Sequence, residues 1–140
     1  MGDGLTIKSS RTAGKLKFTE RQPPSLNHPA EYIRVTLEDR ELASSSSCIY
    51  LYEPYDFVTF FDELAPDWKG FAGEKEWKSV EEDFAQSATS NGLGVVALRV
   101  TLESGLYEDD WCVQAIIHVE AGQLEDLALR ARLFFTGAAR

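Results

Sequence analysis

An α+β fold follows from three features of this 140-residue sequence. Several short runs alternate apolar and polar side chains, the period of a half-buried strand. Two stretches repeat apolar residues at i, i+3, i+4 and i+7, the stripe of an amphipathic helix. Proline, glycine and asparagine fall between these runs or at their first residue, and not in their interiors. The order that results is β-β-β-β-α-β-β-β-α. It implies an antiparallel β-sheet of about six to seven strands with two amphipathic helices, whose apolar stripes the sheet must cover. With 44% hydrophobic and 26% charged residues the composition is globular, and the length suits a single α+β domain over 1–140.

The first two strands are "LTIKS" (5–9) and "KLKFTE" (15–20), joined as a hairpin by "SRTAG". "RQPPSLNHPA" (21–30) holds three prolines, which cannot donate to a ladder, so it is a loop. "EYIRVTLED" (31–39) alternates cleanly, with Ile33, Val35 and Leu37 on one face. In "SSCIYLYE" (46–53), Ile49 and Leu51 oppose Cys48, Tyr50 and Tyr52. The period changes at Pro54. Phe57, Phe60, Phe61 and Leu64 form a helical stripe in "PYDFVTFFDELA" (54–65), Pro54 suits the first turn, and Pro66 ends the helix.

"WKGFAGEK" (68–75) carries two glycines and reads as a connection. "EWKSVEEDFAQSAT" (76–89) reads as one strand with broken alternation, which a bulge near Glu81 and Glu82 would explain. "SNGLG" (90–94) is an Asn-Gly hairpin turn. It leads to "VVALRVTLE" (95–103), then through "SGLYEDD" to "WCVQAIIHVE" (111–120), and these three strands form a meander. The closing helix shows Leu124, Leu127, Ala128, Ala131 and Phe134 or Phe135 on one stripe. Glu125 and Asp126 lie early, Arg130 and Arg132 late, and Gly137 is the stop.

The charge balance is 14 basic against 23 acidic residues, a net −9. No cluster of Lys and Arg is present to displace counterions from phosphate, so nucleic acid is not the expected partner. An acidic surface suits a basic protein partner. No apolar run approaches the ~20 residues of a membrane span, and the first residues lack a signal-peptide core, so a cytoplasmic protein is expected. Cys48 and Cys112 lie in apolar runs and are expected to be buried, reduced thiols.

A search for chemistry assigns no catalytic, cofactor or metal residue. His28 sits in the proline loop, and His118 shares a strand face with Cys112. Those two are six residues apart, about 20 Å at ~3.3 Å per residue, too far for a nucleophile and its base. The acidic triplets at 81–83 and 108–110 alternate faces or lie in a loop, so neither converges on one ion. "NGLG" joins two strands, whereas a phosphate-binding fingerprint opens a helix. The expectation is a protein that is not an enzyme.

Trp68, Trp77 and Trp111 stand at the edges of elements. Rings there seal a core, and Trp68 and Trp77 would pin the helix-to-strand crossover onto the sheet. Rings of this kind also anchor interfaces. The residues assigned to partner binding are therefore Trp68, Trp77, Glu81, Glu82, Asp83, Glu108, Asp109 and Asp110.

Residues 46–136 carry a recognisable outline. It comprises the aromatic helix, "G-E-K-E-W-K-S-V-E" (Gly73, Trp77, Ser79, Glu81), the Asn91-Gly92 turn, the strand led by Trp111, "EAGQLE" (Glu120, Gly122, Gln123, Leu124) and Phe135. This outline resembles a group of small bacterial proteins of unknown function, of an actinobacterial type, that look similar to WapI-type immunity proteins of polymorphic toxin systems. The resemblance implies no catalytic residue. It implies an immunity protein that binds and neutralises a basic, nuclease-type toxin, which agrees with the acidic charge. The alternative is a small-ligand-binding module with a pocket between the curved sheet and a helix. An enzyme of unrecognised type is a third reading, and self-association is left open.

Overall fold

A computed structural model describes residues 4–40, 45–104 and 111–137. The first four strands are β1 (Gly4–Lys8), β2 (Lys15–Gln22), β3 (Tyr32–Glu38) and β4 (Ser45–Tyr50). Helix α1 (Pro54–Leu64) and a single 3-10 turn (Ala65–Asp67) lead into the second half. There β5 (Glu74–Lys78), β6 (Phe84–Ser90), β7 (Val95–Glu103) and β8 (Cys112–Glu120) precede α2 (Leu124–Thr136). The fold is α+β, but the single sheet of six to seven strands is corrected to two four-stranded antiparallel sheets, ordered β1-β2-β3-β4 and β5-β6-β7-β8. The additional strand comes from the segment expected to be one bulged strand. Lys78 pairs with Ala85 and Glu74 with Thr89, so 79–83 is a hairpin turn.

One core lies between the sheets and the helices. Each sheet sends its alternate apolar residues inward, Leu16, Phe18, Ile33 and Val35 from one, Phe84, Leu98, Val100 and Ile117 from the other. Four fully buried phenylalanines meet at its centre, one from each layer. Phe18 of β2 lies 5.5 Å from Phe57 of α1, 5.9 Å from Phe84 of β6 and 5.2 Å from Phe135 of α2, centroid to centroid. The edge-to-face angles of these pairs suit the ring quadrupoles. Burying each such ring contributes about 1.5–3 kcal/mol. The two helices are also joined through an ion pair between Arg132 and Asp62.

The register of β2 shifts between Thr19 and Gln22, where Glu20 takes φ 51°. The irregularity reverses the inside-outside parity, and Arg21 points inward at 5% exposure. Its guanidinium donates to the carbonyl oxygens of Phe134 (2.8 Å), Pro23 (2.7 Å), Ser25 (2.6 Å), His28 (2.7 Å) and Phe135 (3.4 Å). Two of these acceptors belong to the last turn of α2, whose carbonyls have no helical partner and carry the negative end of the dipole. The Ala30 N–H also donates to Phe135 O, at 2.7 Å. The proline loop is thereby tied to the end of α2. Burial away from water pulls the Arg21 guanidinium below its ordinary pKa.

The two thiols correct a second expectation. Cys48 and Cys112 are both exposed. Strand parity decides it: the buried position beside Cys48 is Ile49, and on β8 the buried positions are Ile117 and Val119. No helix among the described residues is long and apolar enough to cross a membrane.

Candidate functional site

The β5–β6 turn contains Ser79, Val80, Glu81, Glu82 and Asp83, without Gly, Pro or Asn to make it. Its shape comes from local hydrogen bonds. Ser79 Oγ donates to Asp83 Oδ1 at 2.7 Å and accepts from the Phe84 N–H at 3.2 Å. The Glu82 N–H donates to Ser79 O at 2.9 Å, with Glu82 at φ 58°. Ser79 is 2% exposed, so this knot is internal, while Glu81 and Glu82 face solvent.

The same end of the second sheet gathers further residues. The Glu103 N–H donates to Asp83 O at 2.9 Å, and the Ser104 N–H donates to Trp111 O at 3.0 Å. Val80 at 57% and Trp111 at 41% exposure stand there as apolar side chains among carboxylates. Sequence reasoning assigned the acids but missed Val80 and Glu103, and it placed Trp111 as a core seal. The available signal was a lone valine inside an acidic run. Glu108, Asp109 and Asp110 lie outside the described residues; Ser104 and Trp111 flank that segment.

The two assigned tryptophans are not with the acids. Trp77 packs inward, 4.6 Å from Phe57 and 5.7 Å from Phe84 between centroids. Trp68 is 53% exposed, with the Lys69 ammonium 5.4 Å from its ring centre. It lines a groove with Ala121, Gly122 and Glu125, where the Ala121 N–H donates to Gly94 O at 2.8 Å. That is the far end of the sheet, about 30 Å from the acidic turn by the length of a nine-residue strand at ~3.3 Å per residue.

Charge is divided unevenly along the chain. Residues 1–40 contain seven basic and five acidic side chains, and residues 41–140 contain seven and eighteen. On β5, Glu74 and Glu76 share the outward face, and the hydrogen bond and repulsion from Glu74 raise the Glu76 carboxyl above the ordinary glutamate range. On β3, the hydrogen bond from Lys17 (2.8 Å) holds Glu38 below it. Among the described residues no three His, Cys, Asp or Glu side chains gather closely enough to hold a metal ion.

No curated protein matches this chain. The sequence pattern of one family of unknown function, DUF6228, matches residues 7–138. The match reaches through β1 to β4, well beyond the 46–136 stretch that carried the resemblance in the sequence. The chain therefore belongs to the family of unknown function DUF6228.

Proposed function

We propose that this protein works by binding another protein through the acidic end of its second sheet, without making or breaking a bond. The observation that carries the reading is the pairing of exposed apolar side chains, Val80 and Trp111, with the carboxylates of Glu81, Glu82 and Glu103 at one end of the fold. Apolar anchors inside a charged rim are how specific interfaces are built. The excess of acids after residue 40 suits a basic partner, since complementary fields speed encounter and reject like-charged competitors. The Ser79–Asp83 knot holds the turn before the partner arrives, which lowers the ordering cost of binding.

The partner we infer is a basic, nuclease-type toxin, which makes this chain a cytoplasmic immunity protein of the WapI-like kind. Support for that finer step is the likeness of the 46–136 outline and the acidic charge. The test uses the purified basic product of the adjacent reading frame. The expected result is tight association that the E81K/E82K double variant weakens about tenfold or more at low salt, with the difference shrinking as salt rises. Equal affinity of variant and parent at low salt would remove the acidic turn from the interface.

A further inference from the structure

The two sheets approach each other along β1 and β8, each an edge strand of its own sheet. The edges are joined where the Ser10 N–H donates to His118 O (2.9 Å) and the His118 N–H donates to Ser9 Oγ (3.1 Å). Beside this junction, a groove of about 290 Å³ opens between β1, β8 and α2. Its apolar lining is Ile7, Val119 and Leu127, one side chain from each of the three elements. Its polar lining includes Lys8, Ser10, His118, Gln123 and Arg130, with Glu120 at the end of β8.

We propose that this groove binds a small zwitterion of the α-amino-acid type carrying an apolar side chain. Both signs of charge line one apolar cleft. Lys8 and Arg130 can hold a carboxylate, and Glu120 can hold an ammonium group. Ile7, Val119 and Leu127 are 4%, 6% and 2% exposed, so the lining that would receive the apolar side chain belongs to the core and is rigid. Lys8 and Glu120 have no ion-pair partner among the described residues, whereas Arg130 is shared with Asp126 at 2.9 Å. His118 supplies an independent sign: its Nδ1 is buried and has no hydrogen-bond partner among the described residues. A buried polar atom of that kind is rare and calls for a partner. A neutral imidazole offers one donor and one acceptor, so it can serve either end of a zwitterion. The volume is near the lower end of the ~300–1,000 Å³ range of ligand pockets, which sets the ligand at single-amino-acid size.

This site lies at the Glu120 end of β8, the opposite end from the acidic turn, and its test is independent of any protein partner. The probe is leucine, titrated into the full isotope-labelled chain and followed by NMR. Saturable shifts at the Val119 and Leu127 methyls and the His118 ring are expected. Leucinamide, which lacks the carboxylate, and N-acetyl-leucine, which lacks the ammonium, should each bind about tenfold more weakly, the loss of one charge-assisted contact. The Lys8→Gln and Glu120→Gln variants, both at exposed positions that leave the core intact, should repeat those losses in the parent ligand. Absence of saturable shifts with leucine, binding of either blocked compound as tight as that of leucine, or unchanged affinity in both variants would each overturn the assignment.

Discussion

Arg21 and the turn at 79–83 both concentrate charge at the end of a strand, and they handle it in opposite ways. Arg21 is wrapped: its donors go to five backbone carbonyls, and no carboxylate pairs with it among the described residues. The turn keeps its fold with Ser79 and Asp83 alone and leaves Glu81 and Glu82 in water. A desolvated charge is costly to leave unpaired, so its surroundings become fixed around it. A solvated charge contributes little to stability and stays available to a partner. The contrast separates scaffold from surface, and it can be broken at either side.

The largest expected effect is at Arg21. Arg21→Met leaves the carbonyls of Pro23, Ser25, His28 and Phe134 without their donor. Stability should fall by about 3 kcal/mol or more, read by denaturant unfolding. Arg21→Lys should recover only part of it, because a single ammonium cannot span acceptors that a planar fork reaches together. Full recovery by lysine would show that charge at the end of α2, and not the fork, holds the loop.

The tryptophans come next. Trp77→Ala should cost about 2–3 kcal/mol, since its ring packs on Phe57 and Phe84 but stays half-buried. Trp68→Ala should change stability by about 0.5 kcal/mol or less, as for an exposed position. Equal losses from the two would mean that Trp68 is also part of the scaffold. A loss near the lower end of that at Trp77 is expected at Gly137, which caps α2 at φ 74° with its N–H on Leu133 O (3.2 Å). A Cβ there would run into the Leu26 carbonyl oxygen, so Gly137→Ala should cost about 2 kcal/mol and loosen the proline loop. Hydrogen exchange at Ala30, which donates to Phe135 O, reads that loosening directly.

Much of the scaffold was legible because it obeys simple periods. Ile33, Val35 and Leu37 alternate inward as their spacing requires, and the Phe57–Leu64 stripe forms α1 within a residue of its expected end. The segment 76–89 reads as one strand because its turn carries no Gly, Pro or Asn. Glu82 takes a left-handed φ that few non-glycine residues adopt, and the side chains of Ser79 and Asp83 stabilise it. The division into two sheets was hidden for a related reason: alternation says which residues face inward, not whether β4 pairs with the strands beyond α1. Arg21 was invisible because a local irregularity at Glu20 moved it off the parity set by Leu16 and Phe18. At the acidic end, the carboxylates could be read from composition, but their convergence with Val80 and Trp111 depends on the pairing of β6, β7 and β8.

The smallest effect tests whether crowded surface acids cost this fold anything. Glu74 and Glu76 lie two residues apart on β5, the edge of the second sheet, where charged side chains also discourage pairing with another chain. Glu74 raises the Glu76 carboxyl, so the folded protein holds that proton more tightly than the unfolded chain does. Protonation therefore favours folding, and the penalty appears as pH rises through the folded pKa. At neutral pH Glu76→Gln should raise the melting temperature slightly, and added salt should shrink the gain by screening the repulsion. At about pH 3, below the ordinary glutamate range, the parent is itself protonated and the gain should disappear. A gain that persists unchanged at acid pH would place its origin in β5 packing and not in the charge on Glu76.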